Sequence, residues 1–144
     1  MVKNLLEVAI KIAVEAHSGQ LDKARQPYVL HPLKVMLSLR NEKDRIVGVL
    51  HDVIEDTNIT YEYLIQNGFD GETEILEALK SVTRKEDETY EEFIERVALN
   101  PIGKRVKLAD LQDNMDLSRI PKPTTKDFER IKRYTKAKEK LIKS

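Results

Sequence analysis

The chain is most constrained by residues 49–57, a short apolar segment that is interrupted by one histidine and three carboxylates. If this stretch is helical, His51 and Glu55 lie four residues apart, and so do Asp52 and Asp56. Residues four apart share one face of a helix, so these side chains would form a polar strip along an apolar rod. Such a rod is expected to be buried, and burying ionisable groups without partners is costly. The stretch therefore predicts that a metal ion and a polar substrate bind along the strip.

Composition limits the class of protein. At 144 residues the chain is expected to form a single domain over positions 1–144. It carries 25 Lys plus Arg and 25 Asp plus Glu, so it lacks the basic excess of nucleic-acid-binding proteins, and no nucleic acid partner is expected. The absence of cysteine excludes disulfides and thiolate metal sites. We see neither a signal peptide nor a membrane-spanning run, so we expect a cytoplasmic protein without a membrane partner. The sequence does not determine the oligomeric state.

Apolar residues recur at helical spacing along most of the chain, and no run shows the alternation of a β-strand. We therefore predict an all-α fold of about seven or eight helices. The central helix is expected to begin near Asp44 and to run to about Asp56, and a charged terminal helix is expected over residues 125–143. Further helix starts are predicted from capping residues at Thr60, Asp70, Thr89 with Glu92, and Asn100 with Pro101.

Four residues are candidates for one shared metal site: His31, His51, Asp52 and Asp110. Imidazole and carboxylate ligands together suit a first-row divalent ion better than calcium. Taken alone, His31 at a loop–helix junction is more typical of a local cap or a surface residue. His51 and Asp52 lie inside one apolar run and Asp110 inside another, at 106–111, where a carboxylate is usually paired, capping or functional. Together the four residues favour a metal site.

The order His…His-Asp…Asp is the signature of the HD phosphohydrolase superfamily, and longer motifs in this chain are more specific. These motifs are Ala16-His17-x-Gly19-Gln20-x-x-Lys23, Pro27-Tyr28-x-x-His31-Pro32, Leu50-His51-Asp52-Val53-Ile54-Glu55-Asp56-Thr57 and Val106-Lys107-Leu108-Ala109-Asp110-x-x-x-Asn114-Met115. They resemble the hydrolase domain of the RelA/SpoT alarmone enzymes, over roughly residues 4–140, and the chain length is similar to that of free-standing small alarmone hydrolases. The resemblance implies an HD-domain helical bundle. It also implies that the four candidate residues hold one divalent metal ion, which in this family is usually manganese, Mn2+.

Two carboxylates beside the metal ligands are candidates for catalysis. By the resemblance, Glu55 and Asp56 match the pair that positions and activates the attacking water. A divalent ion lowers the pKa of its bound water toward neutrality, and a nearby carboxylate can orient or deprotonate that water. Repulsion between neighbouring carboxylates also raises one pKa, which favours a base at neutral pH. The alternative for Glu55 is a purely supporting role next to the ligands.

The resemblance also implies where a substrate binds. Substrate-binding candidates are Lys23, Arg25, Asn114, Arg130 and Tyr134. Lys23 and the pair Arg130–Tyr134 match phosphate contacts, and Asn114 matches a residue near the sugar or base. One departure is Asp22, which stands where the family usually has an arginine and so places an acid near the phosphates. Arg25 is our candidate to replace that missing cation.

Several other polar residues have roles that the sequence leaves open. His17 is expected to pack or cap rather than to bind metal, and Tyr28 is compatible with stacking on a base or with packing. Lys107 is compatible with a phosphate contact or with an ion pair. Asp113 and Asp116 are expected to be structural or surface groups.

We expect a metal-dependent hydrolase that removes the 3′-pyrophosphate from (p)ppGpp and yields GDP or GTP plus pyrophosphate. A first alternative is another small-molecule nucleotide substrate, namely (p)ppApp, the 2′-phosphate of NADPH or a nucleoside monophosphate, and Asp22 keeps this alternative open. A second alternative is a non-catalytic nucleotide-binding regulator. The pair Glu55 and Asp56 argues against that regulator, because a binding protein has no physical need for water-activating carboxylates beside a metal.

Overall fold

The computed structural model describes residues 4–118 and 120–144, and these residues form a helical protein. The N-terminal residues 1–3, on which the expectation about a signal peptide partly rests, lie outside the described residues. The helices are α1 (Leu5–Ala16), α2 (Leu30–Ser38), α3 (Glu42–Leu50), α4 (Val53–Asp56), α5 (Tyr61–Leu64), α6 (Thr73–Ser81), α7 (Tyr90–Ala98), α8 (Pro101–Asn114) and α9 (Thr125–Lys143), with a π-helical turn at Ile65–Phe69. The described residues contain no β-strand, and seven of their helices have nine residues or more. The prediction of an all-α fold with about seven or eight helices is therefore confirmed.

Local capping residues start several helices at the predicted positions. Thr60, Thr89 and Asn100 each accept a hydrogen bond from a backbone N–H in the first turn of the helix that follows. Thr89 and Glu92 form a complete capping box, in which each side chain binds the other residue's backbone N–H. These caps satisfy N–H groups that the helix itself leaves without partners.

The predicted start of the central helix at Asp44 is wrong. Helix α3 follows Asn41, whose side chain accepts the N–H of Asp44. Asp44 is buried in the first turn, where its carboxylate accepts two hydrogen bonds from Arg105 of α8. The carboxylate that could cap α3 therefore binds a cation that lies far away in sequence.

The predicted start at Asp70 is also wrong, because the helix begins at Thr73. Gly68 and Gly71 adopt φ angles of +110° and +76°, a left-handed conformation that glycine accepts without strain. The chain therefore continues to turn past Asp70 before α6 begins.

The central helix ends at Leu50 rather than near Asp56. The Nδ1 atom of His51 lies 2.5 Å from the carbonyl oxygen of Gly48. In a continuous α-helix that carbonyl would accept the N–H of Asp52, so the histidine competes with the helix for the same acceptor. The polar residues consequently lie at a joint between α3 and α4 instead of along one continuous rod.

Helix α3 lies at the centre of the fold, because it packs against α1, α2, α6 and α8. Gly48 permits close packing of α3 against α2 and against Leu39, the residue after α2. A Cβ atom at position 48 would meet the Leu39 side chain at 2.8 Å. A second, smaller apolar core joins α7, α8 and α9. Helix α8 contributes Val106 to the larger core and Leu111 to the smaller one, so its middle turns lie between the two. No helix within the described ranges is long and apolar enough to cross a membrane.

Candidate active site

The structure brings together the four residues that were predicted to bind a metal. His31 lies on α2, His51 and Asp52 at the joint between α3 and α4, and Asp110 on α8. The Nε2 atom of His31 is 2.8 Å from Asp110 Oδ1 and 3.7 Å from Asp52 Oδ2. The Nε2 atom of His51 is 3.2 Å from Asp110 Oδ1 and 3.1 Å from Asp52 Oδ2. Four side chains from three parts of the chain thus converge around one point, which we call the HD cluster.

The second ring nitrogen of each histidine has a partner that turns Nε2 toward the HD cluster. His51 directs Nδ1 to the Gly48 carbonyl, and the Nδ1 atom of His31 lies 2.6 Å from Asp113 Oδ2. Metal-binding histidines commonly donate the other ring N–H to a carbonyl or carboxylate, which sets their tautomer and orientation. The sequence did not indicate this role for Asp113. Its position three residues after Asp110 on the same helix is the signal that could have revealed it.

The HD cluster is buried, and its charges act strongly on one another. His31, His51 and Asp110 are at most 5% exposed. Burial lowers the pKa of both histidines, but the neighbouring carboxylates outweigh burial and raise the pKa values. Burial likewise raises the pKa of Asp52 and Asp110, but nearby cations outweigh it. His51 holds the pKa of Asp52 below its usual range. The ammonium group of Lys107, followed by His51, does the same to the pKa of Asp110. The two carboxylates therefore stay ionised inside the protein.

This donor set fits a divalent metal ion. One ligand atom each from His31, His51 and Asp52 lies within 4.8 Å of the others, and Asp110 Oδ1 is next to both imidazole nitrogens. Two imidazoles and two ionised carboxylates, all oriented by further hydrogen bonds, are typical ligands for a first-row divalent metal. The HD cluster is therefore a candidate site for one divalent ion.

Tyr28 and His17 pack beside the HD cluster. The Tyr28 hydroxyl donates a hydrogen bond to Asp52 Oδ2 at 2.6 Å, so it helps to orient that carboxylate. The Tyr28 ring centroid is 5.1 Å from that of His17 and 5.9 Å from that of His31. His17 is buried, and its Nδ1 atom lies 2.9 Å from Gln20 Oε1. Both rings therefore pack against the candidate metal ligands.

Glu55 and Asp56 lie on α4, directly after the joint that carries two of the candidate ligands. Burial raises the pKa of Glu55, although its carboxylate accepts a hydrogen bond from the backbone N–H of Arg84. Burial and, after it, the charge of Asp52 raise the pKa of Asp56. A carboxylate with a raised pKa beside a metal site is suited to accept a proton from water.

Two cavities adjoin the HD cluster and share Asn114 and Tyr134 as lining residues. The first, which we call the α7 cavity, has a volume of about 250 Å³. The second, which we call the loop cavity, has a volume of about 320 Å³. Besides three residues of the HD cluster, the α7 cavity is lined by Glu55, Arg84, Tyr90, Phe93, Lys107 and Arg133. The loop cavity is lined by His31, the loop residues 21–24, Tyr28 and Arg130, among others. The candidate metal site therefore lies where the two cavities meet.

Most of the predicted substrate-binding residues lie at the loop cavity. Its lining includes Lys23, Asn114, Arg130 and Tyr134. Arg25 is exposed, adopts a φ angle of +62° and lines neither cavity, so its substrate contact stays a prediction. Lys107, which the sequence left open, pairs with Asp110 at 2.8 Å and also lines the α7 cavity.

Asp22 shapes the loop in which it lies. Its Oδ1 atom accepts hydrogen bonds from the backbone N–H groups of Ala24 and Gln26, at 2.8 and 2.9 Å. An aspartate commonly stabilises a turn in this way, and an arginine has no acceptor with which to do so. The acid at this position therefore has a local structural role in addition to any effect on a substrate.

No protein-family model matches the chain. It is similar to a guanosine-3′,5′-bis(diphosphate) 3′-pyrophosphohydrolase of Borreliella burgdorferi, with 35% identity over 131 residues that cover 79% of this chain and 19% of that protein. A protein of the same name from Aquifex aeolicus is 29% identical over 119 residues, covering 76% and 17%. A GTP pyrophosphokinase of Myxococcus xanthus is 32% identical over 127 residues, covering 78% and 17%. The chain thus spans less than a fifth of the length of these relatives.

One solved structure shares the fold over nearly the whole chain. It is described as a metazoan ortholog of SpoT that hydrolyzes ppGpp and plays a role in starvation responses. The two structures have a TM-score of 0.77 at 22% identity, and the match covers 98% of this chain and 86% of the other. This similarity confirms the predicted HD-type helical fold. Together with the sequence relatives, it confirms the resemblance to RelA/SpoT-type hydrolases that the motifs predicted.

Proposed function

We propose that the protein is a metal-dependent hydrolase that removes the 3′-pyrophosphate from guanosine alarmones and converts (p)ppGpp to GDP or GTP plus pyrophosphate. The observation that carries this proposal is the HD cluster, which lies directly beside two carboxylates of raised pKa, Glu55 and Asp56. A site that only binds a nucleotide would have no use for such a pair next to metal ligands. The names of the sequence relatives supply the substrate class.

In this proposal each residue of the HD cluster has a defined task. His31, His51, Asp52 and Asp110 hold one divalent ion, which we propose to be Mn2+. When bound, such an ion lowers the pKa of water and polarises phosphoryl oxygens. Asp113 keeps the Nδ1 proton on His31, so that Nε2 is available as a ligand.

Glu55 and Asp56 are proposed to act on the attacking water. A positioned general base contributes about 10²- to 10⁴-fold to a hydrolysis rate, provided that its pKa is near the working pH. The pKa of each carboxylate is raised, mainly by burial, and this moves both in the required direction. One carboxylate accepts the proton of the water while the other orients it, and we do not divide these tasks between the two.

The loop cavity is proposed to hold the nucleoside part of the substrate together with its 5′-phosphates. Lys23 and Arg130 bring two cations to this cavity, and both reach the carboxylate of Asp127. A polyphosphate can compete for these cations, because Lys23 is exposed and Arg130 is only partly buried. Asn114 lies at the junction with the α7 cavity, where its amide also donates to Asp110 Oδ1 at 3.0 Å.

The test is to incubate the manganese-loaded protein with (p)ppGpp, (p)ppApp, NADPH and nucleoside monophosphates and to measure the phosphate or pyrophosphate released. We expect pyrophosphate from (p)ppGpp. Asp52→Ala should abolish turnover by removing a ligand. Asp56→Asn should lower kcat by about 10²- to 10⁴-fold while manganese still binds.

The matched control is Asp70→Ala, which removes a carboxylate of the same type at an exposed turn and should leave turnover unchanged. Turnover confined to another nucleotide of the panel would replace the proposed substrate. Metal binding without turnover of any nucleotide would instead support a non-catalytic regulator.

A further inference from the structure

We propose that Arg84, Tyr90 and Arg133 form a seat for the terminal phosphate of the 3′-diphosphate, inside the α7 cavity and beyond the HD cluster. This inference rests on the proposed function, because it assigns the second cavity to one part of the same substrate. We call the three residues the diphosphate seat. They come from the loop before α7, from the first turn of α7 and from α9.

Two guanidinium groups flank one tyrosine ring in the diphosphate seat. The guanidinium carbon of Arg84 lies 5.7 Å from the Tyr90 ring centroid, and that of Arg133 lies 5.3 Å from it. Arg133 also lies 5.5 Å from the ring of Tyr134. Stacking of this kind holds guanidinium groups in place while N–H donors stay available at their edges. At Arg84 the Nε–H donates to the Glu88 carbonyl at 3.2 Å, which leaves the donors on its two terminal nitrogens for a ligand. The seat therefore presents two oriented cations to the cavity.

Neither cation of the diphosphate seat is neutralised by a carboxylate. Within residues 4–118 and 120–144, the ion pairs involve other cations, and neither Arg84 nor Arg133 takes part in one. Lys107, by contrast, lines the same cavity but already pairs with Asp110. Two unneutralised guanidinium groups next to a cavity form a site for an anion with several acceptor oxygens.

The hydroxyl of Tyr90 gives independent support for a ligand. It is buried and has no hydrogen-bond partner among the described residues, although buried polar groups are nearly always paired. The charges of Lys107, Arg133 and Asp110 act on this hydroxyl, and all three residues line the α7 cavity. A phosphate oxygen in the cavity would accept the hydroxyl proton and remove the cost of leaving it unpaired.

The size of the α7 cavity suits this part of the substrate. Its volume of about 250 Å³ is many times the roughly 10–15 Å³ that a cavity needs to hold one water molecule. The cavity therefore has room for a diphosphate group. Asn114 and Tyr134 line both this cavity and the loop cavity. A nucleoside in the loop cavity and a diphosphate in the α7 cavity would therefore meet at the HD cluster.

This arrangement fits the bonds that change in the reaction. The oxygen of water forms a bond to the phosphorus atom attached to O3′ of the ribose, and the bond between that phosphorus and O3′ breaks. O3′ takes up a proton, which leaves a 3′-hydroxyl on the nucleotide, and the phosphorus departs as pyrophosphate. The terminal phosphate takes no part in bond exchange, so the diphosphate seat selects a 3′-diphosphate over a 3′-monophosphate.

The test measures binding of inorganic pyrophosphate and of orthophosphate to the manganese-loaded protein by calorimetry, with the metal concentration equal in both solutions. The variants are Arg133→Gln and Tyr90→Phe, and the matched control is Lys132→Gln on the neighbouring exposed position of α9. We expect pyrophosphate to bind at least about tenfold more weakly to Arg133→Gln, the usual scale for one lost charge-assisted contact. Orthophosphate, which can bind at the HD cluster without the seat, should lose less affinity than pyrophosphate, and the control should bind both anions as the wild type does.

Tyr90→Phe separates a ligand contact from a structural role. It should weaken pyrophosphate binding without lowering the melting temperature of the ligand-free protein, because the removed hydroxyl has no protein partner. Equal pyrophosphate affinity in the wild type and in Arg133→Gln would overturn the diphosphate seat.

These measurements also distinguish the seat from the proposed function. If (p)ppGpp is not hydrolysed but pyrophosphate binding still depends on Arg133, the seat is supported and the proposed activity is wrong. If (p)ppGpp is hydrolysed and Arg133→Gln keeps the wild-type preference for a 3′-diphosphate over a 3′-monophosphate, the activity stands and the seat is wrong.

Discussion

Replacing Asp113 with alanine is expected to weaken divalent-metal binding by roughly 10- to 100-fold, although Asp113 is not itself a proposed ligand. Its Oδ2 atom lies 2.6 Å from Nδ1 of His31, and the two side chains are only 13% and 6% exposed. Water therefore cannot readily replace the lost carboxylate. A hydrogen bond to a charged group contributes about 1.5–3 kcal/mol, and each factor of ten in affinity corresponds to about 1.4 kcal/mol. The two estimates agree on the expected range.

The assay is a competition between the protein and a chelating dye for manganese at neutral pH. Asp113→Asn should fall between wild type and alanine, because its amide oxygen still accepts the His31 N–H but carries no charge. Asp70→Ala serves as the control for the loss of one acidic charge at an exposed position. If Asp113→Ala keeps both its helical circular dichroism and the wild-type metal affinity, the carboxylate does not orient His31 for metal binding, and the reasoning is refuted.

Three further outcomes are expected. Arg96→Met should lower the free energy of unfolding by about 1–3 kcal/mol at neutral pH, because the guanidinium donates to Glu88 and to two carbonyls. Arg96 also holds the pKa of Glu88 at about 2. The part of the stabilisation that comes from Glu88 is therefore complete above the ordinary pKa near 4.5 and is lost as the pH falls through about 2, as denaturant titrations at several pH values would show. Gly103→Ala should destabilise by about 1–3 kcal/mol, since its Cβ would meet Ser81 Oγ at 2.1 Å, and thermal melts with Ser81→Gly as the compensating change check it. When the free metal concentration is 100 times the Kd of the metal, adding a chelator should remove about 2.7 kcal/mol of stability. The loss would be seen as a lower melting temperature, and an unchanged melting temperature would argue against a metal in the HD cluster.

Features that depend on residues close in sequence were predictable. Thr89 caps α7 through a partner three residues away, and Asn100 caps α8 in the same way. The helical spacing of apolar residues likewise reflects the local geometry of one helix. Predictions of this kind succeeded because both interacting groups lie within one turn of each other.

Two helix boundaries were predicted wrongly where a contact with another helix is involved, whereas the wrong start at Asp70 has a local cause in the turns at Gly68 and Gly71. Asp44 could cap α3 on local grounds, but Arg105, 61 positions away, binds its carboxylate. The central helix could continue past Leu50, but the ring of His51 takes the Gly48 carbonyl while its Nε2 atom faces Asp110 of α8. Arg105 lies on another helix than Asp44, and the orientation of the His51 ring depends on Asp110 of α8, so the local pattern reveals neither outcome.

In the candidate site, too, some features were predictable from the sequence and others were not. The sequence identified the four residues of the HD cluster and the neighbouring pair Glu55 and Asp56. It did not indicate that Asp113 orients His31, and it left the Tyr28 contact with Asp52 undecided. Each of these contacts joins residues that are 24 to 82 positions apart.

By itself, the sequence determined that this chain is helical, where most of its helices begin, and which polar residues on apolar segments need partners. Only the tertiary structure decided which partners they have. It brought His31 and Asp110 to the joint after α3, and it brought Arg133 of α9 against Tyr90 of α7. The physical reason is that helix formation depends on neighbours within one turn, whereas the site depends on how α2, α3, α7 and α9 pack against α8.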